Sequence, residues 1–407
     1  MQTKANIFRL TGLVQHYNWG GHRFLPVLLR KENPSDQPFA EYWMGAHKNA
    51  PSLIENGTGI FQPLDQFIAR EEKEVLGETV QKRFGRLPYL FKILDVKDML
   101  SIQVHPSKET ALIEFAAENE EGIPLDAPQR TYKDDNHKPE LMVALSEFWL
   151  LHGFKPFDKL EMILQTVPEL QFLLPILKKD GMERMYKVVM EMKQEEVNKR
   201  LQPLADRILA LYISQHLSKP DEDFWAARAY RTFCLHGNID RGLFSIYFFN
   251  LVKLEPGEAI FQDAGILHAY LEGQNLEIMA NSDNVLRGGL TNKKVDVPEL
   301  LKNVRFDPVE PQVILPQSGK SSFEKIFKTT AADFELSQFE LGPGNTISLY
   351  SHTVEIFLVM EGMAQIRSGG DILIVNKGES FMATYGATVQ VESRTDRLLL
   401  YRAGVPQ

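Results

Sequence analysis

The chain carries a single cysteine, Cys234, among its 407 residues. That excludes an internal disulfide and a metal cage built of thiolates, and it suits a reducing compartment such as the cytoplasm. No apolar run reaches the roughly eighteen residues that a membrane-spanning helix requires. The opening stretch MQTKANIFRL has no apolar core, so no secretion leader is expected. Positive charge is also short: 45 Lys and Arg stand against 54 Asp and Glu, a formal net charge of -9. This balance weighs against a nucleic acid or an anionic membrane as partner, and an anionic small substrate would need a local cluster of cations. What is present, 43% hydrophobic and 24% charged residues, is ordinary globular composition. The length calls for two or three domains.

Chemistry is concentrated in residues 268–294, HAYLEGQNLEIMANSDNVLRGGLTNKK. Strand alternation starts at His268, breaks at Gly273, and resumes at Leu276, Glu277, Ile278 and Met279. A polar loop follows, with Asn281, Ser282, Asp283 and Asn284, then Arg287, a Gly-Gly pair, Lys293 and Lys294. Just upstream, residues 254–268 run through a turn at Gly257, a short apolar strand, a second turn at Gly265 and then His268. This order resembles the second half-motif of the cupin barrel, with Asp263 where Pro is usual. In that fold such a histidine points into a small β-barrel and binds a metal.

Residues 1–60 read as short strands and turns, and 63–76 has helical spacing through Leu64, Phe67, Ile68 and Val75. Residues 88–96 and 100–105 read as strands, the second with Ser101, Gln103 and His105 on one face and Leu100, Ile102 and Val104 on the other. Pro106 ends it, and Ser107 is placed to cap a helix through Ala117. Residues 132–140, YKDDNHKPE, lead into an apolar strand. Pro139 stiffens the strand entry and gives up a ladder donor. From about 154 to 225 the texture is helical, with interruptions expected at Pro168, Pro175, Asp180-Gly181 and Pro203. Residues 241–254 return to strand, and an all-β stretch begins after about 307. There His352 and Glu355 echo the first cupin half-motif, but no histidine follows Gly378, so that barrel is read as structural.

Three motifs carry a closer likeness. Residues 132–140 fit Y-x-D-x-N-H-K-P-E at every specified position, 40–45 read AEYWMG, and 268–294 form a second long signature. Together they resemble the type I phosphomannose isomerases of the cupin superfamily, over the stretch from about Phe8 through Lys302 and more loosely beyond it. The second signature departs at Gly288, where Ala is usual, and at Asn292, where Pro is usual. Trp43 and Met44 are expected in the core. The expected fold is mainly β with an α-helical insertion: two cupin (jelly-roll) barrels plus a helical domain. A discontinuous catalytic domain would span 1–153 and 233–310, with the helical insertion at 154–232. A C-terminal cupin-like domain lacking a complete metal site would span 311–407.

The resemblance implies an aldose–ketose isomerisation, mannose 6-phosphate to fructose 6-phosphate and back, through a cis-enediol or enediolate. Gln103, His105, Glu140 and His268 fall where the family has its metal ligands. Two imidazoles, one carboxylate and one amide oxygen suit Zn²⁺, one ion per chain, with iron and manganese as alternatives. With one charged ligand the site keeps about one positive charge, which favours an anionic intermediate. Arg287 matches the catalytic arginine, a planar fork suited to two vicinal oxygens. The base stays open among His137, Lys138, Glu277 and Asp283, with a zinc-bound hydroxide in competition. Asp283 has an Asx-turn as its alternative role. Lys293 and Ser101 match positions facing the substrate, with Lys92 a further candidate and Glu277 counted among the substrate contacts. Lys294 is expected in solvent. A phosphorylated hexose is the expected partner; no nucleic acid, membrane or obligate protein partner is inferred. The rival readings are a non-enzymatic sugar-binding bicupin with a structural metal and an iron-dependent cupin oxygenase.

Overall fold

The computed structural model describes residues 6–55, 59–235 and 237–406; the first five residues of the stretch read for a leader lie outside them. The fold is mainly β with a helical portion.

One strand organises the larger sheet. His268–Ala280 is thirteen residues long and almost wholly buried. Its first half pairs with Phe148–Phe154, and its second half lies between Tyr89–Val96 and Glu140–Ala144. The break expected at Gly273 does not occur. The strand runs through it, with Gly273 at φ 132°. A Cβ there would lie 2.6 Å from the Phe148 ring and 2.7 Å from the Glu147 carbonyl. Glycine is what lets one strand change partners at that point without a clash.

The neighbouring strands are apolar because both their faces are covered. Every residue of Tyr89–Val96 and of Glu140–Ala144 is buried, including Lys92 and Glu140, which face the site. The strand expected at 100–105 is only Ile102–Val104, held between the start of the long strand and Leu286–Gly289. Ser107 caps the next helix by accepting from the Thr110 backbone N–H, and that helix, Lys108–Glu120, runs a turn further than expected.

The helical portion follows Phe154 and consists of Phe157–Thr166, the 3₁₀ turn Pro168–Leu173, Leu174–Glu191, Gln194–Ile213 and Glu222–Phe233. Gly181 kinks the third of these, as expected, but Pro203 does not interrupt Gln194–Ile213. The helix Gly242–Phe248 replaces the first part of a strand expected over 241–254, which begins only at Phe249. All seven residues of that helix are buried, so its apolar run has no solvent face to reveal a period. Asp240 starts it by accepting from the Gly242 N–H. The helix expected over 63–76 is two, Leu64–Arg70 and Glu72–Leu76.

The C-terminal strands form where the sequence places them, among them Glu355–Glu361, Met363–Ser368 and Thr388–Ser393. They divide between a four-stranded and a nine-stranded sheet. The nine-stranded sheet also takes in the N-terminal strand Ile7–Thr11, which pairs with Ser380–Ala383. His352 is exposed, and Glu355 is buried against Ser351 and Arg402 with its carboxyl pushed up to about 7 by burial.

Gly273→Ala should destabilise the protein by roughly 1–3 kcal/mol, the usual strain of a side chain held in such backbone geometry. Urea unfolding reads this directly, and an unchanged midpoint would show that the strand tolerates a Cβ at its partner switch.

Candidate active site

His105 and His268 enter the site from two strands, and in both cases the backbone decides which nitrogen is free. His105 Nδ1 donates to the Asn284 carbonyl at 2.8 Å, and His268 Nδ1 to the Ile266 carbonyl at 3.0 Å. A carbonyl only accepts, so each Nδ1 carries the proton and each Nε2 presents a lone pair. Those two Nε2 atoms lie 3.3 and 3.4 Å from the two oxygens of Glu140. Although His105 Nε2 is this close to a carboxylate oxygen, it has no hydrogen-bond partner. The three side chains converge on a common point, their ligand atoms all within 4.8 Å of one another. Burial holds His105 down to about 4, so it is neutral at pH 7. Burial also opposes the charge of Glu140, but Lys138 at 3.2 Å keeps its carboxyl well below the usual range. Two imidazoles and one carboxylate around a buried nitrogen without a hydrogen-bond partner among the described residues fit a divalent cation. Among the described residues no other cluster of His, Cys, Asp and Glu has this geometry.

Gln103 sits opposite both His268 and Arg287 in the strand register, which sets its side chain beside the cluster. Among the described residues its amide makes no hydrogen bond. Gln103 and Lys138, which adjoin the cluster, line a cavity of about 700 Å³ together with Ser101, Asp283, Arg287 and Lys293 among others. Arg287 and Lys293 form no ion pair among the described residues. They are close enough that the Arg287 charge, with some burial, lowers the Lys293 pKa, while burial lowers that of Arg287 itself. Two cations facing a cavity without an ion-pair partner among the described residues favour an anion there.

The other residues singled out by sequence divide sharply. Lys92 lines the cavity wall but is committed: its Nζ lies 3.0 Å from Glu277 and 3.2 Å from Glu41. Burial opposes its charge, yet the carboxylates of Glu277, Glu41 and Glu140 hold it above its ordinary value. Glu277 is buried behind Lys92, takes a hydrogen bond from Tyr270, and is pushed up by burial. Asp283 reaches the cavity, but its carboxylate binds His47 at 3.0 Å and Lys48 at 3.6 Å. Those contacts outweigh burial and hold it to about 2, which makes it a poor base. Its side chain makes no Asx-turn contact. His137 is not brought to the cavity; its Nε2 pairs with Asp333 of the C-terminal region at 2.9 Å. Lys294 is exposed, as expected.

Several participants were not read from sequence. Trp43, expected in the core, lines the cavity, donates to Glu41 at 2.6 Å and lies against the Lys92 ammonium; Met44 is core. Glu41 and the run His16 to Trp19 also line the cavity. Asn284 joins the two signatures: its side-chain oxygen accepts from Lys133 N–H, and its amide donates to the carbonyls of Asp134 and Asn136. Only its place in the polar loop could have drawn attention to it.

A family model described as phosphomannose isomerase type I, catalytic domain, matches residues 7–157. Mannose-6-phosphate isomerase of Escherichia coli (strain K12) is 40% identical over 94% of this chain and 96% of its own. The human mannose-6-phosphate isomerase is 34% identical over 88% of each. This chain belongs to the type I phosphomannose isomerases. Solved structures agree: that of the Salmonella typhimurium mannose 6-phosphate isomerase, bound to substrate (f6p) and a zinc atom, superposes with a TM-score of 0.88. The two are 37% identical, covering 99% of this chain and 100% of that one. A second, bound with zinc and yttrium, has a TM-score of 0.87. The phosphomannose isomerase signatures 132–140 and 268–294 are the segments that Asn284 ties together.

The depressed His105 gives metal-free protein a definite pH response. A histidine whose folded pKa lies below its unfolded value contributes stability above the unfolded value and loses it as pH falls through the folded one. Metal-free protein should therefore weaken from about pH 6.5 down to about 4, by up to roughly 3 kcal/mol from this one group. His152, also held down to about 4, acts in the same direction. Urea midpoints across that range should fall less steeply for His105→Gln, and an identical slope would contradict the assignment.

Proposed function

We propose that this protein interconverts mannose 6-phosphate and fructose 6-phosphate with one zinc ion per chain. The observation that carries this reading is the convergence of two imidazoles and a carboxylate beside a cavity holding two cations that have no acidic partner among the described residues. His105, Glu140 and His268 hold the ion, with the Gln103 amide oxygen as fourth ligand. When bound, the ion supplies a Lewis acid that polarises the sugar oxygens at C1 and C2.

The residues of the chain supply the rest. Lys293 and Ser101 hold the phosphate at one end of the cavity, and Lys92, kept charged by Glu41 and Glu277, fixes the wall beside the sugar. Lys138 lines the cavity at the edge of the ligand set, and in its amine form Nζ takes the proton from C2. The C2–H electron pair forms the C1–C2 double bond and the C1 carbonyl pair moves to O1, giving the cis-enediol or enediolate. The Lys138 ammonium then returns the proton to C1, while the O2 proton passes to O1 and the carbonyl re-forms at C2. Asp283 positions His47 and the loop rather than acting as base, in line with its low pKa. His137 braces the first signature against Asp333. Arg287 stands across from Gln103, between the ligand set and Lys293, where a fixed planar charge stabilises the developing enediolate.

The reading extends to architecture and setting. Two cupin barrels and a helical insertion account for the sheets: a catalytic barrel from 1–153 and 233–310, helices over 154–232, and a C-terminal barrel from 311–407. The pairing of Ile7–Thr11 with Ser380–Ala383 supports assigning that first strand to the C-terminal barrel. The C-terminal barrel is structural, since His352 is exposed and Glu355 is committed to Ser351. A phosphorylated hexose is the partner. No helix among the described residues is long and apolar enough to cross a membrane, and the lone thiol of Cys234 supports a cytoplasmic setting.

A coupled assay should detect fructose 6-phosphate from mannose 6-phosphate, lose the signal with a chelator and regain it with Zn²⁺. Elemental analysis should find about one zinc per chain; His268→Ala should lose it. Full activity in metal-free protein would sink the reading.

Arg287→Ala should lower kcat by about a hundred- to thousandfold, or roughly 2.7–4 kcal/mol, more than it raises KM. Arg287→Lys should recover only part of that, because a point charge does not replace the fork. A steep rise in KM with kcat intact would assign Arg287 to the phosphate instead.

A further inference from the structure

Behind the ligand cluster lies a second pair of buried polar side chains that the isomerisation does not use. Gln262 is fully buried and stands directly across from Glu140 in the register of Ala259–Gln262 against Glu140–Ala144. His152 is buried and stands directly across from His268 in the register of Phe148–Phe154 against His268–Ala280. Directly opposed residues on antiparallel strands project to the same face, with their Cβ atoms about 4.5–5.5 Å apart. The two members of this pair also touch: His152 Nδ1 donates to Gln262 Oε1 at 2.7 Å. Glu140 and His268 touch each other at 3.4 Å. The four side chains thus close a square, two of its sides cross-strand pairs and two of them polar contacts.

Gln262 also keeps a buried donor without a partner. Its Nε2 has no hydrogen bond among the described residues, and leaving such a group unsatisfied is unfavourable. Apolar residues of similar volume would fill the same space without that penalty, so the pair is not explained by packing. His152 reaches a second cavity of about 480 Å³, lined by Ile260, Phe261, Ile266 and Arg305 among others, which shares no lining residue with the substrate cavity. The pair is the partition between the ligand cluster and that space.

We propose that His152 and Gln262 are positioning residues for the metal centre, a hydrogen-bonded unit that holds the side chains of His268 and Glu140 from behind. Residues that orient metal ligands in this way typically change metal affinity 10- to 100-fold when removed. The inference rests on the reading that His105, Glu140 and His268 hold the ion. Here neither residue touches substrate, so the effect appears in how firmly the ion is kept.

The test is the rate at which purified zinc-loaded protein, without substrate, yields its metal to a chromogenic chelator. Thermal midpoints of the metal-free proteins serve as the measure of fold. Gln262→Met and His152→Phe should each release zinc about 10- to 100-fold faster than the parent. Each also strands one buried polar atom, so the measure of fold is the double variant, which replaces both partners and should keep the parental metal-free midpoint. The double variant should release zinc no faster than the quicker single one, because either change breaks the same bond. His152→Asn keeps a donor near the Nδ1 position and should release zinc close to the parent rate; its contrast with His152→Phe decides the matter if Gln262→Met fails to fold. Parental release from Gln262→Met or His152→Phe would overturn the proposal, and so would faster release from the double variant matched by a lowered metal-free midpoint. A parent protein that holds no zinc would overturn the metal reading itself.

Discussion

The structure depends on keeping two imidazole nitrogens and a carboxylate pointed at one another in a water-poor interior. Glu140, His105 and His268 are all buried. Burying an ionised carboxylate is strongly unfavourable unless charge and hydrogen bonds compensate it. Everything around the cluster answers that requirement. Backbone carbonyls of Asn284 and Ile266 fix both histidine tautomers, Lys138 Nζ lies 3.2 Å from Glu140, and three strands hold the side chains in register. The long strand His268–Ala280 is central because it carries His268 at one end and backs Glu140 at the other, where Met279 pairs with it. Its change of partners at Gly273 is the geometric condition for doing both.

Charge in the cavity is arranged in two tiers. Lys92, Glu41 and Glu277 neutralise one another inside the wall, with Trp43 and Tyr270 taking up remaining contacts. Such a network is rigid because removing any member strands a buried charge. Arg287 and Lys293, by contrast, are left without carboxylates and raise each other's electrostatic energy. A negative charge placed near both would relieve that repulsion. The wall and the receptor are therefore made of the same residue types put to opposite uses.

The two signatures work as one object. Residues 132–140 and 281–284 are far apart in the chain, yet Asn284 bonds Lys133, Asp134 and Asn136 while its own carbonyl holds His105. Ser282 and the Asp283 N–H add bonds to Asp134. Three strands of argument, tautomer, loop shape and ligand direction, meet in that asparagine. This is why a polar loop that exposes little surface carries so many side chains without packing value.

The family and a mainly β plan with a helical portion were legible in the sequence alone, which also named the ligand candidates and Arg287, because each is written locally. Signatures are contiguous, strand alternation has a period of two, and Ser107 caps the helix that begins next to it. What failed locally failed for physical reasons. The fully buried helix Gly242–Phe248 has no solvent face to mark its period, and Pro203 sits within a helix long enough to hold it. Tertiary structure alone decided the fates of residues with identical local credentials. Lys92 and Lys138 are both buried lysines beside glutamates, but only Lys138 contacts the ligand set. His137 and Asp283 both belong to the signatures, yet Asp333 draws one away from the cavity and His47 holds the other near a pKa of 2. The pair His152 and Gln262 has no motif at all. Its significance comes from cross-strand register, which brings residues more than a hundred positions apart to one face, and no local pattern in a chain records that distance.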